Sequence, residues 1–355
     1  MQSIPANGYP IVFGENGYDF LNQLLLEKQY SNLFILVDSN SSEYCLPLLL
    51  PQLATTLTIE IIEIEAGESE KNIQTCVEIW TLLTEMGGDR KSLLINLGGG
   101  VITDIGGFVA STFKRGIDFL HIPTTLLAMV DASVGGKNGV DLGTLKNQIG
   151  VITIPQLVLI DTSFLETLPQ NQMRSGLAEM LKHGLIHDAA YWKAFEDLSQ
   201  VDFADFDALI YRSIEIKNEI VMQDPTENGI RKALNFGHTL GHAIESYFLE
   251  HQTKTPLLHG EAIAIGMILE SYISWQKGLL TASEHQTIKK TLLAVFDRVN
   301  IEKEDLHPIF DLLIHDKKNE YGKIQFALLQ GIGRIIINQE VENELIEKSF
   351  EDYKN

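Results

Sequence analysis

The chain is 355 residues long, 45% hydrophobic, carries a formal net charge of -21 and contains two cysteines, Cys45 and Cys76. That length exceeds one ordinary domain, so two are expected. The acidity argues against general binding to nucleic acid or to anionic membranes, and two cysteines exclude a disulfide framework and fit a reducing cytoplasm. No basic-then-apolar leader opens the chain, and no apolar run is long enough for a membrane span.

Strand-sized apolar or β-branched runs at Leu33–Asp38, Ile59–Ile64, Leu93–Leu97, Phe119–Ile122 and Val158–Asp161 are separated by helix-period stretches such as Lys71–Met86. This alternation predicts an α/β domain with a parallel-rich sheet, of nucleotide-binding type, over residues 1–166. From there the pattern changes, and Gln170–Ile186, Asp205–Met222, Arg231–Leu249, Glu261–Lys277 and Thr281–Arg298 all read at helix period. Residues 167–355 are therefore expected to form an all-α domain, with a small late hairpin at Lys323–Leu329 and Gly333–Ile337.

The strand ending at Asn96-Leu97 runs straight into Gly98-Gly99-Gly100 and then a helical pattern. A strand, a glycine turn and a helix N-terminus bring backbone N–H groups against a pyrophosphate. Asp38 ends an earlier strand, where an acid binds ribose hydroxyls or caps the following helix. Glu68 and Lys71 stand where they could touch the same nucleotide or simply open a helix. Asp131 and Lys137 flank a Val-Gly-Gly turn, and Lys146-Asn147 follows; a lysine in a glycine turn is a usual phosphate contact.

Further on, His238 and His242 lie four apart, which places them on one helix face, and His259 follows after a polar loop. Glu179, in Ser-Gly-Leu-Ala-Glu, offers a carboxylate. One carboxylate with two or three imidazoles and an open position is the donor set of a catalytic zinc. On spacing alone, both His238 and His242 are candidate ligands.

Together, several segments resemble the 3-dehydroquinate synthase family. These are Gly98-Gly-Gly-Val with Asp104, Lys114-Arg115-Gly116, Pro123-Thr-Thr-Leu-Leu, Val130-Asp-Ala-Ser-Val-Gly-Gly-Lys137, Lys146-Asn147 and Ser175-Gly-Leu-Ala-Glu179 with Lys182. Arg231 with Asn235-Phe-Gly-His238-Thr-Leu-Gly-His242, and Leu258-His-Gly-Glu261, complete the set. They occur in that family's order and span nearly the whole chain. The resemblance implies an NAD-binding α/β domain, a helical metal-binding domain and a homodimer. It also implies conversion of 3-deoxy-D-arabino-heptulosonate 7-phosphate to 3-dehydroquinate and phosphate. It makes Glu179, His238 and His259 the ligands of Zn2+ (Co2+ would also fit) and turns His242 into a proton-handling residue. Lys137, Lys182, Arg231 and Asn235 join His242 as catalytic groups, with Asp131, Lys146, Asn147, Lys217 and Lys317 on the substrate and Arg115 entering from the partner subunit. Lys318 could take the place of Lys317. NAD contacts would be Asp38, Asn40, Glu68, Lys71, Gly99, Gly100, Asp104, Thr124 and Thr125.

Three other functions share parts of this pattern. A cyclase making an inosose or valiolone would share the NAD and zinc motifs but differ at the residues that meet a substrate carboxylate: Arg231, Asn235, Lys146 and Asn147. A metal-dependent polyol dehydrogenase would release NADH. A nucleotide-sensing protein would bind without turnover, which the many pocket lysines make the weakest of the three.

Overall fold

A computed structural model describes residues 1–143, 145–196, 206–314 and 324–355. The chain divides into two units, Met1–Pro169 and Gln170–Asn355. The first unit runs past the expected boundary at residue 166 because the turn Thr162–Thr167 is tied into it. Asp161 caps that turn by accepting the Ser163 N–H (3.0 Å) and also accepts the Tyr18 hydroxyl (2.6 Å), and Phe164 is buried.

The strands of the first unit are β1 (Ile4–Pro5), β2 (Pro10–Phe13), β3 (Leu33–Asp38), β4 (Ile59–Ile64), β5 (Leu93–Gly98), β6 (Asp118–Pro123), β7 (Lys137–Leu142), β8 (Leu145–Ile152) and β9 (Val158–Ile160). Seven form one sheet in the order β1-β2-β9-β6-β5-β3-β4, parallel throughout except for the β1–β2 edge. Strand β5 is buried along its whole length, as a parallel strand covered on both faces must be. β3 pairs with β4 on one side and β5 on the other, so the chain reverses its travel across the sheet there. Ligands of open α/β sheets bind outside the carboxyl ends of the strands at such a reversal. Asp38 ends β3 and Gly98 ends β5.

The helix Ile73–Glu85 starts later than the expected Lys71, because Asn72 takes the cap and accepts the Thr75 N–H at 3.0 Å. The apolar helix Gly100–Thr112 lies in a core with Phe34, Leu36, Ile62 and Leu94 from the sheet and Val140 from the antiparallel β7–β8 hairpin. Two glycines allow this approach. A Cβ on Gly106 would stand 1.8 Å from Asn96 Oδ1, and one on Gly107 would stand 1.8 Å from Asn138 Oδ1.

His121 sits between these asparagines, almost without solvent contact, with Asn96 Nδ2 3.2 Å from its Nδ1. Burial pushes its pKa down to about 3, against a smaller upward pull from Asn138. Below the ordinary value of 6.5 the unfolded chain takes up a proton that the folded chain refuses. Stability present above pH 6.5 is therefore lost, at about 1.4 kcal/mol per pH unit, as pH falls towards 3. Urea unfolding at pH 6.5 and 5 is expected to show about 2 kcal/mol of pH dependence that His121→Gln removes; equal slopes in both proteins would refute it.

The second unit contains the helices Gln170–His187, Ala189–Lys193, Phe206–Gln223, His238–Glu250, His259–Gln276, Ala282–Val295, Lys303–Ile314 and Asn343–Lys354. Beside these helices β10 (Phe326–Leu329) and β11 (Ile335–Gln339) pair antiparallel, close to the expected hairpin, of which Lys323 lies outside the described residues. The single helix expected over Arg231–Leu249 is also corrected. Residues Ile230–Asn235 form a 3-10 turn, Gly237 takes a left-handed conformation (φ 77°), and the α-helix begins at His238. His259–Gln276 is buried on every side among its neighbours. Close approach at its glycines explains this: a Cβ on Gly260 would stand 2.2 Å from Ser175 O, and one on Gly266 would stand 1.9 Å from Gly237 O.

Candidate active site

At the sheet's reversal point, Gly99 caps the helix Gly100–Thr112 without any side-chain cap, leaving first-turn N–H groups for an anion. Thr124 N–H donates to Gly98 O at 3.0 Å, and a Cβ on Gly99 would lie 3.1 Å from Thr125 Cγ2. Gly99, Gly100, Thr124 and Thr125 thus form one contiguous rim. Asp38 takes the capping role: its Oδ1 accepts the Ser41 N–H at 2.7 Å at the C-terminal end of β3. Asn40 follows it, exposed.

Two ion pairs gather the next group. Lys71 Nζ lies 2.6 Å from Asp104 Oδ2, and Lys146 Nζ lies 2.7 Å from Glu68 Oε1. Burial opposes the Lys71 charge, but Asp104, Glu68 and Asp141 outweigh it and hold its pKa above the usual lysine range. Asp141 N–H donates to Lys71 O (2.9 Å), and Asp141 Oδ1 accepts the N–H of Asn147 (2.6 Å), itself at φ 52°. The hairpin thereby brings Lys146 and Asn147 to the Lys71 side. Lys137 opens β7 just after Gly135 and Gly136, at φ 105° and 69°, and is partly buried, as is Asp131. Arg115 is exposed at φ 70°. Lys317 and Lys318 lie outside the described residues.

The second unit assembles an imidazole–carboxylate cluster. Glu179 is fully buried on the helix Gln170–His187. Its Oε1 is 3.5 Å from His238 Nε2 and 3.7 Å from His259 Nε2, while its Oε2 pairs with Lys182, also buried. The other nitrogens are engaged. His238 Nδ1 is 3.1 Å from Phe236 O, and His259 Nδ1 is 3.2 Å from Glu245 Oε2. Both acceptors fix a proton on Nδ1, so Nε2 is the nitrogen each ring has left to offer a cation beside that carboxylate oxygen. Two donors about 2.1 Å from a tetrahedral ion stand about 3.4 Å apart. The set fits a divalent cation, with outer acceptors orienting each ligand. Without an ion, burial opposes charge on His259, but Glu245 and Glu179 hold its pKa up to about 10, so a cation would displace a proton on binding. The His242 ring lies 5.1 Å from that of His238 and 5.6 Å from that of His259, and one nitrogen from each of the three falls within 4.8 Å of the others.

Arg231 is buried and donates to Pro225 O (2.6 Å); Asn235 donates to Glu227 Oε1 (3.1 Å); Lys217 is buried on the helix Phe206–Gln223. The motifs did not single out Glu245, Glu227 or the buried pair His183 Nδ1 and Ser213 Oγ, 2.8 Å apart. A signal existed for Glu245, which follows His238 by seven residues and so shares its helix face.

Residues 61–175 match the family model described as 3-dehydroquinate synthase N-terminal, and residues 176–319 match 3-dehydroquinate synthase C-terminal. A 3-dehydroquinate synthase of Parabacteroides distasonis is 41% identical over 95% of this chain and 94% of its own length. Among solved structures, 2-epi-5-epi-valiolone synthase from Streptomyces hygroscopicus subsp. jinggangensis, with NAD+ and Zn2+ bound, is 27% identical with a TM-score of 0.84, covering 100% of this chain and 99% of the other. A 2-deoxy-scyllo-inosose synthase shares the fold at 24% identity, with a TM-score of 0.85 over 99% of this chain and 100% of the other. The fold thus places the chain in a class of two-unit proteins built from an α/β unit and a mainly helical unit. Within that class, the chain belongs to the 3-dehydroquinate synthase family.

Proposed function

We propose that the protein converts 3-deoxy-D-arabino-heptulosonate 7-phosphate to 3-dehydroquinate and phosphate, a carbon–oxygen lyase reaction that uses NAD and one divalent cation. The observation that carries this is the convergence of His238 and His259 Nε2 on Glu179 Oε1, in a chain of this family. When bound, NAD supplies a reversible hydride acceptor and the cation a Lewis acid for the hydroxyl to be oxidised. Asp38, Asn40, Glu68, Lys71, Asp104, Gly99, Gly100, Thr124 and Thr125 are the groups that would hold the dinucleotide, and Glu179, His238 and His259 the cation, with zinc or cobalt matching the donors.

The remaining groups bind two anions and handle protons. Arg231 suits the substrate carboxylate through its planar fork. Lys137, Lys146, Asn147, Lys182, Lys217 and Asn235 hold the phosphate and stabilise the charge that develops as the C–O bond breaks. His242, partly exposed next to the cation ligands, is placed to pass protons near neutral pH. Asp131 contacts the substrate. The exposed Arg115 completes the partner's site in a homodimer of the cytoplasm.

The experiment is incubation of the purified protein with the heptulosonate phosphate, catalytic NAD and Zn2+, following phosphate release. Turnover without net NADH is expected, and Lys137→Ala should lose phosphate release by at least about a hundredfold, on the scale of one missing donor to developing charge. Near-normal release by that variant removes Lys137 from the site. Consumption of a valiolone or inosose precursor instead would move the assignment to the cyclases of those names.

A further inference from the structure

We propose that Glu270 is a positioning residue for the cation site, acting on His238 through a single backbone peptide. The inference rests on the cation role given above to His238. Glu270 is fully buried on the helix His259–Gln276, and its sequence context announces no function. Its Oε2 accepts the Gly237 N–H at 2.6 Å, and its Oε1 accepts the Leu240 N–H at 3.3 Å. Both N–H groups belong to the first turn of the helix His238–Glu250, where no intrahelical acceptor exists.

The Gly237 N–H and the Phe236 carbonyl are the two ends of one planar trans peptide and point in opposite directions. That carbonyl lies 3.1 Å from His238 Nδ1. It can only accept, so it fixes the Nδ1 proton and leaves the Nε2 lone pair facing Glu179 Oε1, 3.5 Å away. A line of two hydrogen bonds, each polarising the next, therefore runs from the buried carboxylate through the peptide to the imidazole. Packing sets where this peptide lies. Gly237 stands at φ 77°, a Cβ on it would meet Met267 Cγ at 2.5 Å, and a Cβ on Gly266 would meet Gly237 O at 1.9 Å. The tilt of the plane is left to Glu270. Two donors need two acceptor oxygens, and an amide at position 270 offers only one, turning an NH2 against a backbone N–H.

The probe is Co2+ added to metal-free protein, read by chelator competition and by the visible absorption of the bound ion. Glu270→Gln is expected to weaken Co2+ binding ten- to hundredfold and to alter the absorption bands, the scale on which outer partners act on metal ligands. Ile288→Val, a truncation in the core of the helix Ala282–Val295, is expected to lower thermal stability while leaving both readouts at wild-type values. Should Glu270→Gln not fold, Glu270→Asp, which keeps both oxygens but withdraws them by one methylene, carries the same comparison. The proposal is overturned if the folded variant binds within twofold of the wild type with an unchanged spectrum, or if Ile288→Val weakens binding equally. A wild-type protein that takes up no Co2+ overturns the cation role itself. That outcome is distinct from wild type and variant binding alike.

Discussion

His259→Ala is expected to lower the affinity for a single divalent cation by about a hundredfold or more, because loss of a ligand exceeds the 10–100-fold cost of losing an outer partner. Turnover of the heptulosonate phosphate should fall with it. The same measurement on two further variants decides between two donor sets. His238, His242 and His259 could offer three nitrogens, whereas Glu179 Oε1, 3.5 Å from His238 Nε2 and 3.7 Å from His259 Nε2, offers a set of one carboxylate and two imidazoles. If the carboxylate set holds the ion, His242→Ala keeps tight Co2+ binding and loses turnover, while Glu179→Gln loses both. Retention of the ion by Glu179→Gln with loss in His242→Ala would establish the three-imidazole set instead. Wild-type affinity in His259→Ala would dismiss both sets.

Asp104→Ala is expected to cost about 3 kcal/mol, since it strips the nearest counter-charge from Lys71, whose side chain is 7% exposed and whose ammonium lies 2.6 Å from that carboxylate. Glu68 and Asp141 still oppose a lone charge there, which keeps the figure at the low end of the range for a broken buried pair. Lys71→Met in the same chain should recover much of the loss, because an apolar pair of similar volume needs no counter-charge. Urea midpoints of the two singles and the double give the coupling directly. A single variant that loses under about 0.5 kcal/mol, the usual ceiling for an ordinary surface change, would show that the pair is screened by water.

The elements that depend on long apolar runs were legible in the sequence. β3 lies where the Leu33–Asp38 run places it, because a central strand of a parallel sheet needs apolar residues on both faces, and β4, at the sheet edge, lies where the isoleucines of Ile59–Ile64 place it with Glu60 and Glu63 between them. The β7–β8 hairpin was not legible. Lys137 to Ile152 mixes glycine, lysine and asparagine with branched residues, and its pairing is fixed by contact with the helix Gly100–Thr112, which lies outside the window of local pattern. Arg231–Leu249 looked continuous because helix period survives across Phe236-Gly237; only the tertiary contact at Gly266 reveals that Gly237 must turn left-handed. The residues of the imidazole–carboxylate cluster could be found from spacing and family order. Glu270 could not, since nothing in its neighbourhood records that its partner is a backbone N–H thirty-three residues away.

The depth of the helix His259–Gln276 also governs how an ion would come and go. Local fraying releases weakly packed ends first, and this helix has few of them. Glu179 and His238 are nearly sealed, with side chains 0% and 10% exposed, whereas the side chain of His259 is 25% exposed. If the cluster holds a cation as proposed, His259 is the wall of the cup most open to solvent, and turning its imidazole aside is the shortest way to let the ion pass.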